Sequence, residues 1–259
     1  MHDSSQPIVD VRSVTKTFDV AGQQIVALKD ASLTISKGEF ITLIGASGCG
    51  KSTLLRIIAG FERPTSGEAL MWGSPIEGPG PLRGMVFQDY ALFPWLTVRD
   101  NIGFGPTSQG WPKSKVRETT DRFIEMVGLQ RFADAYPHQL SGGMRQRVAI
   151  ARVLANEAEV VLMDEPFGAL DAMTRERLQE ELLEIWRATK LTVVFVTHAV
   201  DEAILLADRV VVMTPGPGRI ESDTSLTLSR PRDLTSPEFN EIRRAMSARL
   251  HSHHGKRAA

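Results

Sequence analysis

The stretch Phe40-Ile-Thr-Leu-Ile-Gly-Ala-Ser-Gly-Cys-Gly-Lys-Ser52 decides the fold of this chain. Its first five residues form an apolar run that predicts a buried strand, and Lys51 to Ala59 predicts a helix. Between them, Gly45 to Ser52 matches the pattern G-x-x-x-x-G-K-[ST], in the strand–turn–helix context that this pattern requires. We therefore expect a phosphate-binding loop within an α/β domain.

The residue types of this loop suit a nucleoside triphosphate. Glycines let the backbone approach phosphates closely, and inward N–H groups at a helix start attract anions. We expect Lys51 to reach the β- and γ-phosphates and the Ser52 hydroxyl to bind Mg²⁺. The residues expected to bind ATP here are Gly45, Ala46, Ser47, Gly48, Cys49, Gly50, Lys51, Ser52 and Thr53.

Two alternatives exist for this loop. One is a glycine-rich turn that binds nothing, which the flanking strand and helix disfavour. The other is a reactive nucleophile at Cys49, which is disfavoured because such a loop works through its backbone.

The rest of the chain alternates short apolar runs with helical patterns, as α/β domains do. Val160 to Met163 and Thr192 to Val196 lack polar alternation, which predicts buried strands of a parallel sheet. From about Ala91 to Asn156 the pattern is mostly helical, and from Arg230 onwards we expect one amphipathic helix and a frayed tail. The residues predicted to share one helical face between the two strands are Leu178, Leu182, Ile185, Trp186 and Thr189.

Polar residues follow three of the apolar runs. Asp164 and Glu165 end one strand; Asp164 is expected to hold Mg²⁺, and Glu165 to polarise the water that attacks the γ-phosphate. His198 follows the next strand and is a candidate partner of the γ-phosphate, although a lone histidine is more often structural. Gln88 is expected to contact Mg²⁺ or the water. Two acids at a solvated strand end are the alternative, which the upstream phosphate loop disfavours.

A second anion-binding helix start lies at Leu140-Ser-Gly-Gly-Met144. Ser141 is a natural N-cap, and Gly142 and Gly143 leave N–H groups uncovered. Because the chain has one phosphate loop, the nearest use of this helix is against the γ-phosphate held by another copy of the protein. The alternative is an ordinary capped helix.

Taken in order, these motifs resemble those of the ABC ATPase family. The resemblance spans about Val9 to Ile220 and rests on the phosphate loop, Gln88, Leu140 to Met144, Asp164-Glu165, Ala169-Leu-Asp171 and His198. It implies a P-loop NTPase (RecA-like) α/β core with an antiparallel β subdomain and a helical insert. The implied boundaries are residues 1–88 with 159–229 for the core, 89–158 for the insert, and 230–259 for a C-terminal helix and tail.

The family resemblance also implies how the site is assembled. Two copies form a head-to-tail homodimer, and each ATP lies between the phosphate loop of one copy and the signature helix of the other. Phe18 matches the aromatic residue that stacks on adenine, with a core phenylalanine as the alternative. Asp171 matches the loop that contacts the opposite copy. Ala199 stands where relatives often carry Asp, which leaves the catalytic roles unaffected.

In this family, ATP hydrolysis drives transport through membrane subunits. The resemblance implies two transmembrane permease subunits and, indirectly, a periplasmic or surface solute-binding protein, with this chain at the cytoplasmic face of the inner membrane. Tyr90 to Leu96 is a candidate docking surface, with insert core as the alternative. The segments Pro215–Ile220 and Arg230–Phe239 resemble the nitrate/sulfonate/taurine/bicarbonate importers, which implies a small anion as cargo.

Composition and charge argue against several other classes of protein. A formal net charge of -1 over 259 residues argues against a nucleic-acid binder, so Arg145, Arg147 and Arg152 are expected in salt bridges. No secretory signal is visible, and no apolar run approaches the roughly 20 residues of a membrane span. The tail histidines, His251, His253 and His254, are expected to be solvated, with metal binding as the alternative.

Four other functions are alternatives to the importer subunit. They are an ABC ATPase for another small solute, a soluble ABC ATPase outside transport, a phosphate-loop kinase and a non-catalytic nucleotide-binding module. A kinase has no use for Leu140 to Met144, and a non-catalytic module has none for Glu165 and His198.

Overall fold

The computed structural model describes residues 6–168 and 170–252. The chain divides into two compact units. The first unit contains Met1–Pro79 and Lys190–Ala259, and the second contains Gly80–Thr189. Within the described ranges, no helix combines the length and the apolar character needed to cross a bilayer.

Strands predominate in the first third of the chain, helices follow in the middle, and strands and helices alternate from Val160 to Thr214. The strands are β1 (Val9–Val20), β2 (Gln23–Ile35), β3 (Phe40–Gly45), β4 (Ser66–Met71), β5 (Ser74–Pro75), β6 (Arg83–Val86), β7 (Val160–Asp164), β8 (Thr192–Thr197), β9 (Arg209–Thr214) and β10 (Arg219–Ser225). The α-helices are α1 (Lys51–Ala59), α2 (Val98–Ser108), α3 (Lys113–Met126), α4 (Gly142–Leu154), α5 (Ala172–Thr189), α6 (Val200–Leu206) and α7 (Pro237–Ser252). Short 3-10 helices lie at Gln130–Phe132 and Pro137–Gln139.

The first unit contains an antiparallel sheet with the strand order β2-β1-β4-β5. Strand β1 pairs on both sides, with Val9 opposite Ile35 of β2 and opposite Met71 of β4. The core face of β1 buries Val9, Val11 and Val14 completely or nearly so. This sheet confirms the predicted antiparallel β subdomain.

The first unit also holds the strands that lead to the phosphate loop. Strand β3 pairs in parallel with β8 and with β9, and β10 lies antiparallel on β9. Every residue of β3 and β8 is buried, as expected for parallel strands covered on both faces. The rings of Phe40 and Phe195 lie 6.0 Å apart between these strands. The predicted strands are confirmed, and α1 has the predicted bounds.

The second unit combines a parallel strand pair with four helices. Strands β6 and β7 pair from Arg83 with Val160 to Val86 with Met163. Helix α3 ends at Met126, with Val127 as its C-cap, and Gly128 then takes a left-handed φ of 66° that is typical of a helix end. The predicted helical region from about residue 91 to 156 is confirmed by α2, α3 and α4.

The buried face of helix α5 is shifted around the helix axis from the face that the sequence pattern predicts. Leu178, Leu182 and Trp186 are buried as expected, but Leu183 is buried as well. Ile185 and Thr189, which were assigned to the same face, are half-buried. Within this unit α5 contacts α4, where Thr174 and Leu178 lie close to Gly143.

The predicted C-terminal amphipathic helix is α7, which buries Phe239 and Met246. It lies in the first unit, against α6 and β9. The tail residues His253 and His254, and the side chain of His251, lie outside the described part of the chain.

Candidate functional site

The phosphate loop runs from the end of β3 to the start of α1. Lys51 is buried, and its ammonium group donates hydrogen bonds to the carbonyl oxygens of Gly45 (2.8 Å) and Ala46 (3.2 Å). The amide of Cys49 donates to Ala46 O at 3.2 Å, which closes the turn. Ser47 and Gly48 at the tip are exposed. The loop therefore holds its lysine inside a ring of backbone groups.

Two glycines of this loop cannot be replaced without disturbance. Gly50 has a φ of 88°, and a Cβ atom there would lie 2.6 Å from Leu28 Cδ2. A Cβ atom on Gly45 would lie 2.6 Å from the carbonyl oxygen of Met213 in β9. Gly50 is the N-cap of α1, and among the described residues no side chain caps this helix start. A helix start without a side-chain cap suits an anion, which accepts hydrogen bonds from amides of the first turn.

Cys49 is a buried thiol within the loop. Burial raises the pKa of its thiol, and the nearby Lys51 ammonium only partly opposes this. The thiolate is the nucleophilic form of cysteine, so a raised pKa works against a nucleophilic role. The structure therefore favours the reading in which this loop acts through its backbone.

Phe18, the candidate adenine-stacking residue, lies near the end of β1 in the first unit. It is half-buried, and the Lys16 ammonium lies 4.8 Å from its ring centroid. A cation at this distance from an aromatic ring is attracted to the ring face. Phe18 is thus outside the fully buried core and has part of its ring surface exposed.

His198 also belongs to the first unit, where it follows β8 directly. Its side chain is exposed. Thr197, the residue before it, pairs with Ile44 of β3 and accepts a hydrogen bond from the amide of Ala199 at 3.1 Å. Because β3 and β8 are parallel neighbours, His198 emerges at the same sheet edge as the phosphate loop.

In the second unit, strand β7 delivers the two predicted carboxylates. Asp164 ends the strand, and Glu165 follows with a φ of 45°, a left-handed conformation that is uncommon outside glycine. Both side chains are half-buried. The amide of Gly168 donates to Glu165 O at 3.1 Å, which forms a tight turn after the strand.

The side chain of Gln88 reaches the same turn. Gln88 Nε2 lies 3.6 Å from the position that a Cβ atom on Gly168 would occupy, and Glu165 Cβ lies 3.9 Å from it. Gln88 follows β6, and β6 is the parallel neighbour of β7. The carboxyl ends of the two strands therefore bring Gln88 and Glu165 together, a proximity that the sequence analysis did not predict.

The predicted signature helix is α4, which begins after Ser141. Ser141 is its N-cap, and the Ser141 hydroxyl accepts a hydrogen bond from the amide of Met144 at 3.3 Å. A Cβ atom on Gly143 would lie 3.0 Å from Thr174 Cγ2. Glycine at this position allows the start of α4 to approach α5 closely.

Asp171 caps the start of α5. Its carboxylate accepts a hydrogen bond from the amide of Thr174 at 3.0 Å, and this bond holds the pKa of Asp171 below its usual range. Arg175 donates to Leu170 O at 2.9 Å and to Phe167 O at 3.4 Å, which shapes the preceding loop. Ala169, in the same motif, lies outside the described residues.

Two residues shape the site in ways that the sequence did not indicate: Arg152, which was expected in a salt bridge, and Asn101, for which no role was expected. Arg152 of α4 donates hydrogen bonds to the carbonyl oxygens of Ala91 (2.7 Å) and Tyr90 (3.1 Å). Asn101 of α2 is fully buried and bonds both the amide and the carbonyl of Phe93. Both residues fix the segment after Gln88 by binding backbone atoms, and no local pattern signals such contacts.

The arginines of α4 are engaged within the second unit. Arg147 forms an ion pair with Glu181, with Nε 2.8 Å from Oε2. The Arg145 guanidinium lies 5.9 Å from the ring centroid of Tyr90. The expected salt bridge is therefore present for Arg147, whereas Arg145 contacts an aromatic ring and Arg152 binds backbone carbonyls, because their side chains extend toward Tyr90.

The residues predicted to hold Mg²⁺ present a hydroxyl, a carboxylate and an amide. Ser52 is half-buried in the first turn of α1, Asp164 is half-buried at the end of β7, and Gln88 is exposed after β6. Oxygen atoms of these groups are the ligands that Mg²⁺ prefers. Within the described ranges, no cluster of three or more His, Cys, Asp or Glu side chains forms another metal site.

Sequence comparisons identify relatives over most of the chain. The family model described as ABC transporter matches residues 28–168. An uncharacterized ABC transporter ATP-binding protein of Methanocaldococcus jannaschii is 56% identical over 90% of this chain and 88% of its own length. The taurine import ATP-binding protein of Roseobacter denitrificans is 48% identical, covering 84% and 82%. The nitrate import ATP-binding protein of Synechocystis sp. is 47% identical, covering 89% and 86%.

Solved structures of the same family are similar to this chain in fold. A dimeric ATP-binding cassette in a post-hydrolysis state, bound to ADP and Pi, matches with a TM-score of 0.74 and 34% identity. The match covers 85% of this chain and all of that chain. It confirms the P-loop NTPase fold with its β subdomain and helical insert. Together with the phosphate loop and the signature helix, these matches establish that the chain belongs to the ABC transporter family, as one of its ATP-hydrolysing subunits.

Proposed function

We propose that this chain energises the uptake of a small anion, of the aliphatic sulfonate, taurine or nitrate type, through separate membrane subunits. Relatives named for taurine import and for nitrate import are almost equally similar to it, at 48% and 47% identity. Both cargoes are small and present an anionic group rich in oxygen atoms, a sulfonate in taurine and the ion itself in nitrate. This near equality supports the anion class and favours neither member of it.

In the proposed mechanism, the phosphate loop binds the triphosphate and Glu165 activates water. The observation that carries this step is the turn after β7, where Glu165 takes a left-handed conformation beside Gln88. Left-handed residues other than glycine also occur elsewhere in the described chain, so the closeness of Glu165 to Gln88 supports this step more than the backbone conformation does. Gln88 orients the water, His198 hydrogen-bonds the γ-phosphate, and Lys51 neutralises charge that develops on the phosphates. Ser52, Asp164 and Gln88 would hold Mg²⁺, which would supply further charge neutralisation.

We propose that a second copy completes each site. Ser141, Gly142 and Gly143 of one copy bind the γ-phosphate held by the other, because the amides at the start of α4 form an anion-binding helix terminus. Asp171 lies in the loop that meets the opposite copy, and Phe18 stacks on the adenine. The relative solved as a dimer with ADP and Pi supports a homodimer of this kind.

The membrane partners are proposed to dock on the second unit. Of the predicted docking segment, Tyr90 is buried, whereas Trp95 is 69% exposed. The Phe93 ring lies 5.6 Å from Trp95 and 4.5 Å from Phe104, which is also exposed. A groove of about 530 Å³ adjoins Phe104 and is lined by residues of α2 and α3. An exposed aromatic group beside a groove is typical of an interface, so core and docking roles fall to different residues of the segment.

We also propose the remaining assignments. The chain acts at the cytoplasmic face of the membrane with two permease subunits and, indirectly, a solute-binding protein. Functionally, residues 1–88 with 159–229 form the ATP-binding core, 89–158 the signature region and 230–259 the C-terminal helix and tail. The alternatives are import of another small solute and an ATPase outside transport.

Uptake in cells tests the cargo class. The gene is deleted and replaced with the wild-type sequence or with Glu165→Gln, and uptake of radiolabelled taurine, radiolabelled nitrate and an uncharged sugar is measured. We expect uptake of one anion to be lost on deletion, restored by the wild type and not by the variant. Loss of sugar uptake alone would favour another solute, and unchanged uptake of all three would contradict import of taurine or nitrate.

A further inference from the structure

Helix α6 follows His198 and is too short to be stable alone. It has seven residues, Val200–Leu206, whereas isolated helices shorter than about 12 residues are marginal in water. The last carbonyl groups of a helix have no partner within it. The position of α6, and of the turn that precedes it, therefore depends on contacts made from elsewhere in the first unit.

Two arginines beyond β10 supply those contacts. Arg232 Nη1 donates hydrogen bonds to the carbonyl oxygens of Ile204, Ala207 (2.5 Å) and Leu205 (3.5 Å). Arg230 Nη2 donates to the carbonyl oxygen of Leu206 at 2.5 Å. Four consecutive carbonyl groups, from residue 204 to 207, thus accept hydrogen bonds from two guanidinium groups. Cations at a helix C-terminus also interact favourably with the helix dipole.

Arg232 also forms hydrogen bonds within its own loop. Its Nε and Nη2 atoms donate to the carbonyl oxygen of Leu228, at 3.2 Å and 3.0 Å. The residue is 8% exposed, and burial together with the nearby Arg230 lowers the pKa of its guanidinium to about 10. The group is therefore charged at neutral pH, and carbonyl dipoles surround the charge.

Arg230 differs from Arg232 because it also forms an ion pair outside α6. Its Nη1 atom forms an ion pair with Asp208 at 2.5 Å, and Asp208 Oδ2 accepts a hydrogen bond from the amide of Phe40 at 3.0 Å. Arg230 is thus tied to the first residue of β3 as well as to α6. Arg232 contacts the end of α6 and its own loop, so substitution of Arg232 probes α6 more selectively.

The other end of α6 determines where His198 lies. The amide of Ala203 donates to Ala199 O at 3.1 Å, and the amide of Ala199 donates to Thr197 Oγ1 at 3.1 Å. Strand β8 fixes Thr197 through its pairing with Ile44. The backbone of His198 is therefore fixed by the sheet on one side and by α6 on the other.

We propose that Arg232 is a positioning residue for His198: by fixing the C-terminal end of α6, it holds the turn from which the histidine reaches the γ-phosphate. The inference rests on the role of His198 in the proposed function. Arg232 does not contact the nucleotide itself in this proposal. Because a displacement of about 1 Å in a catalytic group costs up to about 100-fold in rate, a moderate loosening of α6 is measurable in turnover.

A double-mutant cycle on the full-length chain tests the proposal. ATP hydrolysis is measured for the wild type, Arg232→Met, His198→Ala and the double variant, under single-turnover conditions as well, so that slow variants are resolved. We expect Arg232→Met to lower kcat about tenfold with the KM for ATP unchanged. In the His198→Ala background the same substitution should cause no further fall, because its effect acts through the histidine.

Additional variants separate positioning from folding. Arg232→Lys keeps a charge but donates in fewer directions, so it should lower kcat about threefold and carries the test if Arg232→Met does not fold. Arg243→Met is the matched control. Arg243 lies on α7, and its side chain, 44% exposed, is 3.7 Å from Asp201 of α6, so this substitution should leave kcat unchanged.

A spectroscopic signal gives a direct readout of position. The imidazole resonance of His198 is assigned by its loss in His198→Ala, and its shift on addition of a non-hydrolysable ATP analogue is recorded. We expect the shift in the wild type to be reduced in Arg232→Met and retained in Arg243→Met. An equal shift in Arg232→Met would overturn the proposal.

The outcomes distinguish this proposal from the one it rests on. A fall in kcat of the same factor in both backgrounds, or no fall at all, overturns the positioning role and leaves the role of His198 intact. Full turnover in His198→Ala removes His198 from the proposed mechanism and overturns the positioning role with it.

Discussion

Arg152 of the signature helix donates a hydrogen bond across 2.7 Å to the carbonyl oxygen of Ala91, three residues beyond Gln88. A second bond, of 3.1 Å, joins Arg152 to the carbonyl oxygen of Tyr90. Tyr90 and Ala91 both have left-handed backbones, with φ values of 65° and 44°. Non-glycine residues pay for this conformation, so the turn depends on the bonds that hold it. The helix that is proposed to sense the neighbour's nucleotide thus fixes the turn that follows Gln88.

Substitution of Arg152 by methionine should destabilise the protein. The variant loses both charge-assisted hydrogen bonds, and we expect the free energy of unfolding to fall by about 2 kcal/mol. Urea denaturation measures this change. Arg117→Met is the control, since the Arg117 side chain is 84% exposed and its pairing with Asp121 is long, at 3.8 Å. We expect the free energy of unfolding of the control to fall by less than about 0.5 kcal/mol. Equal losses in the two variants would contradict a stabilising role for the two Arg152 hydrogen bonds.

Glu165→Gln should separate ATP binding from hydrolysis. The amide has almost the same shape as the carboxylate but cannot accept a proton, so turnover should fall about 100-fold or more while ATP still binds. Size-exclusion chromatography with ATP should then show a persistent dimer. Glu157→Gln is the control, because Glu157 pairs with Lys115 on the surface of the second unit. Unchanged turnover in Glu165→Gln would remove this residue from the mechanism.

Trp95→Ala should weaken assembly with the membrane subunits and spare ATP binding. The indole is 69% exposed, so its removal leaves the packing of the second unit largely intact while it deletes the most exposed aromatic group of the docking segment. Co-purification with the permease measures assembly. Met126→Ala, at a 41% exposed residue of α3, is the matched control. Normal assembly and transport in Trp95→Ala would count against the docking surface.

Cys49 should react slowly with alkylating reagents in the folded protein. Burial raises the pKa of its thiol, so less thiolate is present at pH 8 than in the unfolded chain. The folded state keeps its proton to higher pH than the unfolded state does. The free energy of unfolding therefore declines as the pH rises above about 8.5, the pKa of a free thiol. Iodoacetamide labelling with and without urea tests the first expectation, and equal rates would refute it.

Local patterns predicted the parts of the site that depend on neighbouring residues in the chain. Strand β3, the phosphate loop and α1 follow from apolar runs, glycine positions and one lysine, and the structure confirms their bounds. The start of α4 was also predictable, because an N-cap serine acts on a residue three positions away.

The arginine contacts could not be predicted in the same way. Arg152 lies 61 residues from Ala91 and Arg232 lies 28 residues from Ile204, and in both cases the partner is a backbone carbonyl group. Every residue has such a group, so a carbonyl partner leaves no mark on the side-chain sequence. The left-handed backbone of Glu165 could not be predicted either, because the residue type favours no such conformation and only the turn after β7 shows it.

The central proposal is that each ATP binds between the phosphate loop of one copy and the start of α4 of another. Crosslinking between chains tests this contact directly. Cysteine is introduced at Ser47 in one preparation and at Ser141 in another, both in the Glu165→Gln and Cys49→Ser background; Ser47 and Ser141 are both exposed. The two preparations are mixed, and disulfide formation is followed on non-reducing gels. We predict a covalent dimer that forms with ATP and only when both preparations are present. No dimer with ATP, or the same amount without nucleotide, would contradict the account.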